Sequence, residues 1–356
     1  MTDSGMGAAS EIRELPQKEW RKRTVDGRGI ADIRLLQVED GPGRGQRLLF
    51  VRNATGIGLE IAVDRGFDIS AVTWRGVNIG WNSANGMPWP PHSVDAEDGV
   101  GLYRNLDGFL VTCGLDHIGG ARRDDGGRYI HKHRKEVFHP LHGRISSQRA
   151  LLCGYGIDWH ADEPVIWAEG VIRQSAVFGE NLVLKRRITL SVHGGMIHVS
   201  DTVQNQGFRP TPHAILYHIN FGYPFLDEAT QIAGDLCSET TALFNAEDKR
   251  PRDDFVDYYQ GVPVTTGKPT ATIEVRNGTV LGGLRARISY RRSQLPVFGI
   301  WRAFQSGIYA LGLEPARPFD PQANANDSSM TLEGGESRQY AITLELGDAA
   351  KSGACE

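Results

Sequence analysis

Apolar and polar residues alternate along much of this chain with a period of two. From residue 182 to 193, Leu182, Leu184, Arg186, Ile188, Leu190 and Val192 fall on one face, and Val183, Lys185, Arg187, Thr189, Ser191 and His193 on the other. Side chains of a strand point alternately to opposite faces, so the pattern predicts a half-buried strand. Gly194-Gly195 then reads as a hairpin turn, with Met196 to Val203 returning. Further strands are predicted over Arg47 to Asn53, at Leu59, Ile61 and Val63, over Ile69 to Trp74 and over Phe109 to Leu115. Late in the chain, Leu284, Ala286, Ile288 and Tyr290 alternate, as do Tyr340, Ile342, Leu344 and Leu346. Asn277-Gly278 predicts a second hairpin, between Thr272–Arg276 and a strand beginning at Thr279. Only Asp227 to Arg250 reads as room for one short helix. Residues 82–107, rich in Gly, Pro, Asn and Trp, read as long loop, and residues 119–135 as an exposed excursion.

There is no alternating strand–helix rhythm, no Gly-rich phosphate loop and no short repeat. Many antiparallel strands with little helix predict an all-β fold, a large sandwich. We expect a mobile N-terminal tail with a short lead-in over residues 1–23 and a single domain over residues 24–350. With 39 basic against 43 acidic side chains, the formal net charge is -4. That balance gives no electrostatic reason to expect nucleic acid or an anionic membrane as partner. No apolar run approaches the roughly 18 residues of a membrane helix. Met1 to Ser10 is small and polar, without the apolar core of a secretory signal, so a cytoplasmic location is the expectation. Cys113, Cys153, Cys237 and Cys355 show no paired spacing and read as free thiols.

The candidate chemistry centres on Leu216 to Pro224, a strand stopped by Gly222 and Pro224. His218 and Asn220 share one face of it, and Tyr217, Ile219 and Phe221 the other. An apolar face packs, and a face with His and Asn is a candidate to line a cleft. Two other stretches look like partners, His139-Pro140-Leu141-His142-Gly143-Arg144 and Leu311-Gly312-Leu313-Glu314-Pro315. Two histidines and a glutamate at strand ends would make an acid–base site for a neutral organic substrate. The bland alternative for His142 and His218 is a hydrogen-bonded structural histidine. Glu314 ends an apolar run, where a carboxylate is costly to bury unless it is paired or working. Its alternative is escape to solvent where Pro315 breaks the strand. His139 and His142 have the H-x-x-H spacing of metal ligands, but Pro140 and Gly143 argue against a helix, and no third ligand has diagnostic spacing. Asp64-Arg65-Gly66 reads first as a turn closed by an ion pair, and second as a way for Arg65 to reach a substrate. The tryptophans read as core. Trp81 and Trp89 lie in Gly/Pro-rich sequence, where exposed ring faces would suit stacking on a sugar.

These stretches carry a resemblance. His139 to Arg144, Tyr217 to Gly222 and Leu313 to Pro315 resemble, in order, the two histidine motifs and the glutamate motif of the aldose 1-epimerase (galactose mutarotase) superfamily. Gly334 to Ser337, followed by the Tyr340 strand, resembles its closing turn and strand. More closely, the chain resembles a divergent bacterial branch, the DUF4432 group. Asp64 to Ile69, Val111 to Asp116, Leu141 to Ile145, Leu216 to Gly222 and Gly312 to Pro315 carry that likeness, which spans about Ile30 to Leu346.

The resemblance implies a galactose mutarotase-like supersandwich of large antiparallel sheets. It implies Glu314 as general base on the anomeric hydroxyl, His218 as general acid on the ring oxygen, and His142 as the residue orienting the sugar. No metal or organic cofactor is implied, and the expected partner is a small carbohydrate. Arg65, Trp81, Arg104, Asp116, His117, Arg144 and Asn220 are the candidate substrate-binding residues. The chain departs from the superfamily in two places. Leu141 replaces the usual Asn before the first motif histidine, and the sugar-binding Asp of the middle strands has no clear counterpart. Another sugar or sugar-acid isomerase on the same fold, with or without a metal, and a non-catalytic carbohydrate-binding protein are the alternatives. A homo-oligomer is left open.

Overall fold

In the computed structural model, residues 17–128, 135–319 and 330–349 are described. The alternating stretches become strands of two large antiparallel sheets, one of ten strands and one of eight. Across the first sheet the order is Asp32–Gln37, Arg47–Arg52, Ile57–Ala62, Asp68–Trp74, Leu110–Leu115, Ala214–Gly222, Ala310–Arg317, Val297–Ala303 and Tyr258–Gly261, with Val77–Asn78 paired to Asp68–Trp74. Across the second it is Thr230–Gly234, Thr270–Asn277, Leu284–Arg291, Ser337–Asp348, Met196–Asn205, Asn181–Ser191, Val165–Ser175 and Ala150–Asp158. The expected all-β sandwich is the observed architecture.

The inward rows of both sheets build one apolar cluster. Leu59, Ile61, Ile69 and Ile219 enter it from the larger sheet, and Leu184, Ile188, Val199 and Ile342 from the smaller. Each such side chain stabilises the fold by about 1.5–3 kcal/mol relative to exposure. Arg186 stands in that inward row and is fully buried. It is held by Asp201, with Nη2 at 2.6 Å from Oδ2, and by Asp68, with Nη1 at 2.6 Å from Oδ1. The Tyr217 hydroxyl donates to Asp201 Oδ2 at 2.7 Å. This cluster ties the two sheets together across the core.

The expected short helix is Ser238–Ala246. Among the described residues, no helix is long and apolar enough to cross a membrane. Some expectations are corrected. Asn277 does end a strand, but no strand starts at Thr279: a 3-10 turn over Val280–Gly282 intervenes, and pairing resumes at Leu284. Leu281, Gly282 and Gly283 all have positive φ, which breaks the extended path. Strands at Asp32–Gln37, Ala150–Asp158, Val165–Ser175, Tyr258–Gly261 and Val297–Ala303 were not anticipated. The expected excursion contains a short ribbon, Arg122–Asp125 against Glu136–His139, while residues 129–134 lie outside the described residues. Of the expected tail, residues 1–16 lie outside the described residues, and Trp20 packs on Trp159 with ring centroids 5.1 Å apart. Cys113, Cys153 and Cys237 are free thiols, and Cys355 lies outside the described residues.

Candidate active site

The outer face of the ten-stranded sheet, turned away from the core, carries a cavity of about 470 Å³. Strand register lays its floor out in three rows. The middle row runs from Val111 through His218 and Glu314 to Gly299. Two residues along the strands on one side lie Cys113, Leu216, Ala316 and Val297. Two residues along on the other side lie Asn220, Gly312, Trp301 and Tyr259. Rows two residues apart in a strand are separated by about 7 Å.

Glycines open the middle of this floor. A Cβ on Gly312 would come within 3.0 Å of His218 Cε1 and 3.2 Å of Trp301 Cβ. A Cβ on Gly299 would come within 2.1 Å of the Tyr259 ring. Both positions must therefore stay bare for His218, Trp301 and Tyr259 to close around Glu314.

His218 and Glu314 meet directly, with Nε2 3.2 Å from Oε1. Both side chains are almost wholly buried. Asn220 decides which histidine nitrogen faces the glutamate. Its Nδ2 donates to the Gly108 carbonyl at 3.0 Å, an atom that can only accept, so its Oδ1 is the atom facing His218 Nδ1, at 2.5 Å. Nδ1 must then carry a proton and donate it, and Nε2 is the nitrogen turned to Glu314. The 3.2 Å approach of Nε2 to Oε1 is an ion-pair contact that is not aligned as a hydrogen bond, which leaves both atoms able to bond a guest. Burial raises the Glu314 carboxyl above the usual carboxylate range, and His218 partly offsets the rise.

His142 reaches the same cavity from a loop. His142 and Gly143 both have left-handed backbone, with φ of 58° and 76°. A Cβ on Gly143 would sit 2.3 Å from the Gly114 carbonyl oxygen and 2.6 Å from that of His117, so only glycine fits. The loop is strapped to the end of the Leu110–Leu115 strand: Gly114 N–H donates to the His142 carbonyl, and Arg144 N–H to the Gly114 carbonyl, both at 2.9 Å. Gly119 N–H approaches His142 Nδ1 at 3.4 Å, which leaves Nε2–H as the donor of a neutral ring. Burial, with help from His218 and His117, pushes the His142 pKa down to about 3, so the ring is neutral near pH 7. Its ring stands edge-on to His218 at 5.7 Å.

The structure thus brings His142, His218 and Glu314 together and places Asn220 beneath His218. The other candidates do not line the cavity. Trp81 is buried behind it, its Nε1 donating to the Ile308 carbonyl at 2.7 Å and its ring edge-on to Trp301 at 6.0 Å. It supports an aromatic wall and has no free ring face for a sugar. Arg65 is buried and donates to the Asn105 carbonyl at 2.8 Å. Arg104 pairs with Glu97, and Arg144 with Asp95 at 2.6 Å. Asp116 is buried and accepts from Gln174 Nε2 at 2.7 Å. His117 stacks on His139 at 4.9 Å, and burial pushes both pKa values down to about 4. Among the described residues, no three His, Cys, Asp or Glu side chains are grouped to hold a metal ion.

Lining residues that the sequence reading does not single out include Tyr103, Asp257, Tyr258, Tyr259 and Trp301. From sequence Trp301 reads as core, whereas it lines the cavity. Its indole N–H donates to Asp257 Oδ2 at 2.9 Å, which fixes an acid at the cavity beside an aromatic wall. The sequence signal available was Gly299 two residues before Trp301, together with Gly312 two residues before Glu314.

A family model described as a domain of unknown function, DUF4432, matches residues 43–346. No curated protein matches the chain. Among solved structures, a protein of Klebsiella pneumoniae provisionally described as an aldose 1-epimerase is similar with a TM-score of 0.76 at 20% identity, covering 89% of this chain and 84% of its own. A galactose mutarotase-like protein of Clostridium acetobutylicum has a TM-score of 0.63 at 14% identity, covering 90% and 99%. A galactose 1-epimerase of Lactobacillus acidophilus has a TM-score of 0.53 at 13% identity, covering 89% and 99%. At these identities the likeness establishes the fold, an all-β galactose mutarotase-like architecture. With most of its length matched to the family model, the chain belongs to the DUF4432 family.

Proposed function

We propose that this protein is an isomerase that interconverts the anomers of a free sugar by acid–base ring opening. The observation that carries this reading is the His218–Glu314 contact of 3.2 Å on an open cavity floor, with the far side of His218 pinned by Asn220. The anomeric hydroxyl and the ring oxygen of a cyclic sugar are bonded to the same carbon. A base and an acid that touch each other can therefore address both at once. Glu314 carboxylate takes the proton from the anomeric hydroxyl while His218 Nε2–H gives one to the ring oxygen. The C1–ring oxygen bond breaks, the anomeric C–O becomes a carbonyl, and no net proton is gained or lost. After rotation about C1–C2, the same transfers in reverse close the ring to the other anomer. His142, neutral, donates a hydrogen bond that holds the sugar near the ring oxygen. Trp301 and Tyr259 offer ring faces to its C–H surface, and Asp257 accepts from its hydroxyls.

The test is anomer exchange followed by NMR on free aldoses. Acceleration over the spontaneous rate by wild-type protein, lost in Glu314→Gln, is the expected result. Wild-type protein that never outpaces spontaneous exchange on a broad panel of neutral and acidic sugars would refute the assignment.

A further inference from the structure

The row beside the catalytic pair has a chemistry of its own. Leu216 and Ala316 are paired across two adjacent strands, and Ala316 is paired in turn with Val297. Cys113, Leu216 and Ala316 form a small buried apolar cluster, with Ile118 packed against it. Ile118, Leu216, Val297, Ala316 and Pro318 all line the cavity. This end of the floor therefore presents carbon, while the opposite end presents Trp301, Tyr259 and the Asp257 carboxylate.

The charges around the cavity are one-sided. Asp257 and Glu314 line it and no Lys or Arg is among the described lining residues, while the positive charge of an imidazolium at His218 is matched by Glu314 beside it. The arginines next in sequence to lining residues are tied elsewhere: Arg104 to Glu97, Arg144 to Asp95 at 2.6 Å, Arg302 to Glu247 at 3.1 Å, and Arg317 to the backbone carbonyls of Gln294 and Ser293. A phosphate or carboxylate on the substrate would meet two acids and an apolar lobe.

The pair addresses the anomeric hydroxyl and the ring oxygen, and the aromatic and acidic end of the floor suits the hydroxyl-bearing edge of a sugar, which together leave the C5 side to the lobe. The ring oxygen lies between C1 and C5. In a pose with the ring oxygen at His218 Nε2, the anomeric hydroxyl at Glu314 and the C2–C4 edge over the Trp301 row, the substituent on C5 turns away from Glu314 and back toward the Leu216 end of the floor. Among the described residues that line it, Ile118, Leu216, Val297, Ala316 and Pro318 bring no side-chain hydrogen-bonding group to satisfy a hydroxyl there. Resting on the ring-opening reading above, we infer that the site is built for a neutral aldose whose C5 carries an apolar group, a 6-deoxyhexose. A 6-hydroxyl would be desolvated without a partner, which costs free energy. A 6-phosphate or a uronate would add an uncompensated charge.

The experiment measures kcat/KM for anomer exchange on matched pairs, with glucose, galactose and mannose each set against its 6-deoxy form. Glucuronate and glucose 6-phosphate complete the panel. An apolar pocket discriminates against one added hydroxyl by about 10- to 100-fold, so each 6-deoxy sugar should exceed its parent by that factor. The two anions should show only spontaneous exchange. Ala316→Ser, which puts a hydroxyl into the lobe, should narrow the ratio of 6-deoxy to parent sugar. Parent hexoses turned over as well as their 6-deoxy forms, or either anion accelerated, would overturn the inference and leave ring opening standing. No acceleration on any sugar would overturn both.

Discussion

Tyr217 and His218 are consecutive residues on one strand, and they face opposite ways into two polar clusters. Inward, Tyr217 joins Asp201, Arg186 and Asp68 between the sheets. The Arg186 guanidinium donates through Nε and Nη2 to Asp201 and through Nη1 to Asp68. Thr112 N–H and hydroxyl take up the other capacity of Asp68. Outward, His218 joins Asn220 and Glu314. There, Glu314 Oε1 stands 3.2 Å from His218 Nε2 as an ion-pair contact, and among the described residues no hydrogen bond reaches either carboxylate oxygen. Both clusters are buried in apolar surroundings. In the inner one the protein satisfies its own charges, so it holds the fold together. The outer one leaves acceptor and donor capacity facing a cavity, so it can work on a guest.

The sharpest way to break that comparison is to change a carboxylate in each cluster. Glu314→Gln keeps shape and hydrogen bonding but cannot accept a proton, and exchange should fall by about 100- to 10,000-fold. Sugar binding should survive. Thermal stability should hold or rise, because a buried carboxylate whose pKa is raised by burial has been removed. His218→Asn should lose a similar factor from the acid side. NMR exchange and a melting curve on the same preparations check both. A Glu314→Gln protein with full activity would remove that residue from the mechanism.

Asp201→Ala should do the reverse. It leaves Asp68 to balance the Arg186 charge but strips Arg186 Nε and Nη2 and the Tyr217 hydroxyl of their acceptor, and each buried unsatisfied donor costs about 1–3 kcal/mol. Denaturant unfolding should show the loss, and the protein that remains folded should keep its exchange rate per molecule. Equal stability of Asp201→Ala and wild type would mean that the inner cluster does not hold the sheets together.

Acid should separate the histidines from both clusters. Burial pushes His117 and His139 down to about 4, and His142 and His213 down to about 3. Their unfolded value is about 6.5. A base with a depressed folded pKa contributes stability above its unfolded pKa and loses it as pH falls toward the folded value. Stability should therefore drop from about pH 6.5 down to about pH 3. His213 is structural, bridging the Leu115 carbonyl at 2.8 Å and the Tyr340 hydroxyl at 2.7 Å. Unfolding midpoints measured across this range should flatten in His142→Asn, since one of the four protonations is gone. An unchanged slope would sink the account for His142. Exchange activity should fall on the acid side with an apparent pKa above the ordinary glutamate value, because Glu314 must be ionised to act as base.

The two sides of the molecule were unequally legible. Strands such as Asn181–Ser191 show in the sequence because one face meets the core and the other meets water. Tyr258–Gly261 is exposed at all four positions and Val297–Ala303 faces a cavity, so neither has that contrast. His142, His218 and Glu314 could be named from local motifs. Trp301, Tyr259 and Asp257 could not, because their places depend on which remote strands pair, such as Gly299 opposite Glu314. Trp81 misled for a related reason. Its Gly/Pro-rich neighbourhood reads as an exposed loop, yet its N–H bonds to the Asn220 carbonyl at 3.0 Å and the ring is tucked behind the wall. Arg186 sits in a row of aliphatic residues, and its acids come from elsewhere, Asp201 from the neighbouring strand and Asp68 from the opposite sheet.

The smallest expected effect is at the edge of the outer cluster. His142 is neutral near pH 7 and donates rather than transfers a proton, so His142→Asn should raise KM more than it lowers kcat. A lost hydrogen bond to a neutral group is worth about 0.5–1.5 kcal/mol, hence about a 2- to 12-fold rise in KM. Asn220→Ala should do the opposite. It frees His218 Nδ1, so the proton on the Nε2 side is no longer dictated, and kcat should fall with KM little changed. A shifted pH profile for exchange in Asn220→Ala, with the profile of His142→Asn unmoved, would fix Asn220 as the residue that sets the protonation of the pair. Identical profiles in both variants and wild type would reduce Asn220 to a packing residue.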